Sequence, residues 1–236
     1  MIEIKKYPEP AGLKALREKA ELKGLSPEKA YQKLKDPLKS TVRDSLVSEQ
    51  GQLCAYCMCR IPRPDVGADA APIIIEHVVP RNPEDGRDVG QGLDYRNLLV
   101  VCHGNRGKKG NRRFIDLTCD AHRGNIEFRK VHPCKKDTIA SVTYNIEGKI
   151  DAADEDVRFD LVDTLNLNCL SAPLIGERKE ALNALIAELG EVPEEEMLFY
   201  CQSRLAEFEN ESNPKTPYAG ILIWYLTTMV QALMSK

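Results

Sequence analysis

Apolar positions recur at helical spacing at both ends of the chain and lose that spacing in the middle. Within residues 11–50, Leu13, Leu16 and Ala20 share one face, and Val42, Leu46 and Val47 form a second stripe. Between them, Ser26-Pro27-Glu28 supplies a hydroxyl N-cap followed by proline in the first turn. Helical periodicity returns over about 154–165, 173–190, 194–211 and 216–235. There Leu182, Leu185, Ile186 and Leu189 line one face and Leu198, Cys201, Leu205 and Phe208 another. Pro193 and Pro214 separate these helices, and Gly190 is expected just past a helix end.

The middle has a different texture. From Gly51 the chain is rich in Cys, Pro and Gly with short β-type runs, and Val142–Ile150 alternates around Glu147-Gly148, which predicts a hairpin. The pattern predicts an α+β fold in three parts: an N-terminal helical segment (1–50), a small core (51–135) with a basic insertion at 103–118, and a hairpin plus C-terminal helical bundle (136–236). No internal repeat interrupts this order.

Composition narrows the class. With 42% hydrophobic and 29% charged residues among 236, the chain reads as globular. The start, Met1 to Lys6, has no apolar signal core, and the apolar stretch from Ala219 is broken by Gly220, Thr227, Thr228 and Gln231. The expectation is a cytoplasmic protein with no membrane association. In such a compartment thiols stay reduced, so clustered cysteines read as metal ligands.

Six of the eight cysteines, Cys54, Cys57, Cys59, Cys102, Cys119 and Cys134, fall inside about a third of the chain. Cys169 and Cys201 stand alone among apolar residues and are expected to pack as small hydrophobes. Cys54-Ala55-Tyr56-Cys57 has the spacing that lets two sulfurs meet one Zn²⁺ from a single turn. Cys102 and Cys119 are the expected second pair, with Cys59, His103 and Cys134 open as substitutes. A structural zinc suits a segment whose short strands and loops bury too little surface to hold a geometry alone.

Charge is uneven although the net is only −3. Arg106, Lys108, Lys109, Arg112 and Arg113 crowd the insertion, while 151–163 and 188–196 are acidic. Such a basic run suits phosphate binding through counterion release, and a solvated loop is the plain alternative. No Walker, dinucleotide-binding or Ser/His/Asp pattern is present.

Three further motifs carry a resemblance: Ile75-Glu76-His77-Val78-Val79-Pro80, Asp94-Tyr95-Arg96-Asn97-Leu98-Leu99, and Cys119-Asp120-Ala121-His122-Arg123-Gly124-Asn125. In that order, after a zinc-type Cys pair, they resemble the HNH endonucleases, whose ββα-metal core cuts phosphodiester bonds. Within these the chain is similar to the PtuB family, the HNH subunits of Septu anti-phage systems, and to retron-associated relatives. The motifs cover about 50–130, and the likeness extends loosely to Leu165–Asn168 and the Arg178 segment.

The resemblance implies His77 as the base that activates water, and Glu76, in place of the usual Asp, helping to hold a catalytic Mg²⁺ or Mn²⁺. It implies that Asn97 bridges backbone groups and orients the base. The closing segment would open a short helix bearing the last metal ligand, with Asp120 and His122 both open, and Arg123 would steady the scissile phosphate. It also implies a PtuA-like ABC/SMC-type ATPase partner that docks on the helical flanks, and invading DNA as substrate. RNA such as tRNA, and a zinc-binding adaptor without catalysis, are the alternatives.

Overall fold

The computed structural model describes residues 1–62, 73–83, 92–106 and 113–235. The chain is α+β, and its described residues form two small antiparallel sheets among the helices. The N-terminal segment forms α1 (Ala11–Leu22), α2 (Pro27–Tyr31) and α3 (Leu38–Glu49). Leu13, Ala20, Val42 and Leu46 are buried, so the apolar stripes face inward, and Ser26 Oγ accepts from Lys29 N at the start of α2. Ser26 is the cap the sequence requires there, because the first helical N–H groups have no partner within the helix.

After α3 the chain turns sharply through the first cysteine pair. Met58 N donates to Cys54 O (3.0 Å), Cys54 N to Cys59 O (2.9 Å) and Ile61 N to Gln52 O (2.9 Å). Strand β1 (Ile74–His77) then pairs antiparallel with β2 (Leu98–Val101), with Glu76 opposite Leu99 and His77 opposite Leu98. All four residues of β2 are fully buried, because both faces of the hairpin are covered. Gln50 extends the pairing from α3: its side-chain amide accepts from Val100 N and donates to Val100 O, both at 2.8 Å. A two-stranded hairpin is marginal alone, and these bonds tie it to the helices.

The short helix α4 (Cys119–Arg123) follows, then α5 (Lys136–Ile139) and the hairpin β3 (Val142–Tyr144) and β4 (Ile150–Ala152). The C-terminal bundle comprises α6 (Glu155–Phe159), continued as a π-turn over Asp160–Thr164, α7 (Leu174–Gly190), α8 (Met197–Asn210) and α9 (Ala219–Met234). One expectation needs correction. Gly190 is the last residue of α7, and Glu191 ends the helix in a right-handed conformation, so no left-handed glycine is used there. Cys169 is buried in the connection before α7, where its Sγ lies 3.3 Å from Ser171 Oγ. Among the described residues no helix is long and apolar enough to cross a membrane.

Candidate functional site

Four buried thiols converge from three separate stretches. Cys54 and Cys57 come from the turn after α3, Cys102 from the end of β2 and Cys119 from the start of α4. Their sulfurs all lie within 4.8 Å of one another. The measured edges are 4.0 Å for Cys54–Cys119, 3.8 Å for Cys57–Cys102 and 3.8 Å for Cys102–Cys119. A tetrahedron with metal–sulfur bonds of about 2.3 Å has edges of about 3.8 Å, so the four fit a metal ion such as zinc.

The group's surroundings separate ligands from bystanders. Cys59 is buried beside the four but outside the converging set, and neither Cys134 nor His103 joins it. The Cys119 thiol first, and that of Cys57 with it, hydrogen bonds to Cys102 and holds its pKa down to about 5. The same hydrogen bonds act the other way on Cys57 and Cys119, whose thiols they hold well above the ordinary range.

The insertion between Cys102 and Cys119 is pinned at its base, where Thr118 N donates to Gly104 O at 3.0 Å. Gly104 has φ +62°, and a Cβ there would lie 2.3 Å from Thr118 O, so both its conformation and this approach require glycine. Arg106 is exposed, and Arg113 is exposed but paired with Asp116 at 3.0 Å. Lys108, Lys109 and Arg112 lie outside the described residues.

Alternation along β1 sends Glu76 and His77 to opposite faces of the hairpin. Glu76 points to α4. Arg123, whose side chain is fully buried, brings Nη1 to 2.5 Å from Glu76 Oε1. The same guanidinium donates to His77 O (2.9 Å), Val78 O (2.6 Å) and Ile126 O (2.8 Å), which holds α4 against the end of β1. Tyr56, between the first two cysteines, donates its hydroxyl to Glu76 Oε1 at 3.2 Å and accepts from Arg123 Nη1 at 3.1 Å. Burial pushes the Glu76 carboxyl up to about 8; Arg123 opposes this, and the neighbouring Asp120 carboxyl adds to it.

Asp120 therefore shares the Glu76 side of α4, and His122 does not. Helix positions two apart face different ways. His122 stacks on Phe114 at 4.3 Å and donates Nδ1–H to Thr164 O at 3.0 Å, the tautomer that leaves Nε2 with its lone pair. Glu76, Asp120 and His122 do not form one converging ligand group among the described residues.

His77 points to the N-terminal helices. Its Nε2–H donates to Gly92 O at 3.0 Å, which leaves Nδ1 as the basic nitrogen, and Tyr31 meets its ring edge-on at 4.8 Å. Burial first, and then the charges of Arg81 and Arg123, lower its pKa to about 3. Gly92 makes this possible, since a Cβ there would lie 2.1 Å from Pro27 O. Asn97 ends the 3-10 turn just before β2 and clamps the segment after His77: Val79 N donates to its Oδ1 (2.7 Å) and its Nδ2 donates to Val79 O (3.0 Å).

Comparison with known families finds no model that matches the chain, and comparison with curated proteins finds no match either. Sequence reading missed Tyr56 as a partner of Glu76 and Gly92 as the acceptor for His77. The first carried a signal, a tyrosine held between two ligand cysteines; the second depends on a contact across fifteen residues.

Proposed function

We propose that the chain is a metal-dependent endonuclease of the HNH type, with zinc held by Cys54, Cys57, Cys102 and Cys119 as a structural staple, and invading DNA as substrate. The observation that carries this reading is the end of β1. There a backbone carbonyl fixes the His77 tautomer, and the Asn97 amide braces the next segment through both backbone groups of Val79. Hydrogen-bonding one ring nitrogen to a carbonyl is how a protein prepares the other to accept a proton.

In this reading His77 Nδ1 takes the proton from the attacking water. Glu76 and Asp120 are the carboxyls toward which a divalent ion would be drawn, and such an ion supplies charge stabilisation at the leaving oxygen. Arg123 has its donors committed to Glu76 and three carbonyls, which suits bracing of the site. Control by an ABC/SMC-type ATPase, as in the PtuB family, would act through the helical flanks.

A second reading is favoured by two observations: Glu76 is already engaged by a buried arginine, and His77 is 5% exposed. Such burial suits a zinc-binding adaptor without catalysis. Plasmid nicking with Mg²⁺ or Mn²⁺, with and without a candidate ATPase, decides between them. Metal-dependent nicking lost in His77→Ala supports the nuclease. Inactivity on DNA under every condition with cleavage of tRNA moves the substrate to RNA, and inactivity on both leaves the adaptor.

A further inference from the structure

A cationic surface lies on the His77 side of the hairpin. Residues 14–43 carry nine Lys or Arg against four Asp or Glu, a surplus of five in a chain whose net charge is −3. Lys29, Lys33, Lys35 and Lys39 are all exposed. Where this segment reaches the hairpin, the Tyr31 ring collects two cations, with Arg81 Cζ 4.3 Å and Lys39 Nζ 5.9 Å from its centroid. The same ring touches the His77 imidazole.

Neither Arg81 nor Lys39 has a carboxylate partner among the described residues; each is held by the face of Tyr31. Cations at an aromatic face keep most of their hydrogen-bonding capacity, so both retain donors for an anion. Arg81 follows His77 by four residues and comes directly after Pro80, whose ring fixes the backbone at that point. The two charges are thus placed beside the candidate base by covalent connection and by packing on Tyr31.

We infer that Arg81, Lys39 and Tyr31 form a phosphate-binding subsite that leads a nucleic-acid strand across the α2–α3 surface to His77. The inference rests on the nuclease reading and specifies where its substrate lies. Nucleic acid is favoured over an acidic protein because the cluster adjoins the candidate base and the same segment carries the further exposed charges of Lys29, Lys33 and Lys35. Lys/Arg contacts of this kind supply sequence-independent, salt-sensitive affinity. They also explain how an acidic protein holds a polyanion, since the local field and not the net charge acts within about 8–10 Å in physiological salt.

The test is fluorescence anisotropy of a labelled DNA duplex and a labelled single strand, titrated with the full chain at several salt concentrations and with no divalent ion added. Wild type, Lys39→Glu, Lys39→Glu/Arg81→Ala and His77→Ala are compared. The single variant changes an exposed side chain, so its fold is retained, and far-UV circular dichroism and zinc content check this. The double variant should bind about tenfold more weakly or worse, with a salt slope smaller by about two, as for two lost phosphate contacts. His77→Ala should bind like wild type and fail to cleave once Mg²⁺ is added. If wild type binds and cleaves while the double variant binds with the same affinity and slope, the subsite is overturned and the nuclease reading stands. If the double variant keeps DNA binding but loses an acidic protein partner, the surface belongs to that partner and the proposal is equally overturned. If wild type neither binds nor cleaves DNA or RNA, the nuclease reading fails and takes the inference with it.

Discussion

Arg123 Nη1 stands 2.5 Å from Glu76 Oε1 in the interior, and Tyr56 bridges the two through its hydroxyl. This joins the turn of the first cysteine pair, β1 and α4 through a single buried charge. Removing one partner of such a pair leaves the other unpaired out of water, which costs about 3–5 kcal/mol. Arg123→Met should therefore lower the denaturant midpoint strongly, and Glu76→Gln on that background should restore part of the loss. A midpoint unchanged by Arg123→Met would mean that α4 is held by its cysteine alone.

The thiol geometry predicts one zinc per chain by elemental analysis. Cys57→Ser and Cys102→Ser should lose it, while Cys59→Ser should retain it, because Cys59 stands outside the converging four. Structural zinc contributes about 10–16 kcal/mol of apparent binding energy in small metal-dependent folds, so chelation should unfold at least the segment from Cys54 to Arg123. Loss of zinc in Cys59→Ser with retention in Cys57→Ser would reassign the ligands.

Arg178 of α7 is 1% exposed; it donates to Leu167 O at 2.7 Å and faces Asn168 Oδ1 at 3.3 Å, while its Nε has no partner among the described residues. Burial lowers its pKa, and the nearby Tyr144 hydroxyl, with Cys57 and Cys119 of the thiol cluster, works against that. A four-thiolate zinc site carries two negative charges, so Arg178 is positioned to offset them. Arg178→Met should weaken zinc retention against a chelator about tenfold while Arg178→Lys retains most of it. Equal retention in all three proteins would make Arg178 a packing residue only.

The buried His77 sets a pH signature. Its folded pKa of about 3 is below the usual value of 6.5, so between these values the unfolded chain binds a proton that the folded chain does not. The associated stability is present above pH 6.5 and is lost as pH falls toward 3. Relative to His77→Asn, wild type should lose on the order of 4–5 kcal/mol across that window and nothing above it. Thermal melts of both proteins from pH 4 to 8 measure this difference, and parallel profiles would show that water reaches the imidazole.

Periodicity alone located α1, α3, α7, α8, α9 and the β3–β4 hairpin, because the residues that define a stripe lie within a few positions of one another. Ser26 as an N-cap and Cys54/Cys57 as a pair were legible for the same reason: capping and chelation within one turn are local. The opposite orientation of Glu76 and His77 also follows from strand alternation.

What the sequence left open involves partners chosen across long separations. Cys59 is five residues from Cys54 and Cys119 is sixty-five away, yet Cys119 completes the sulfur tetrahedron, because β2 and α4 bring it there while the 54–59 turn directs Cys59 outside the set. Asp120 and His122 are equivalent candidates in the sequence; helix rotation puts Asp120 beside Glu76 and His122 against Thr164. The sequence determined the elements and the supply of metal-binding and titratable groups, since these depend on local spacing. Only the tertiary structure decided which groups meet and which are buried, because that depends on how the hairpin is enclosed between α4 and the N-terminal helices.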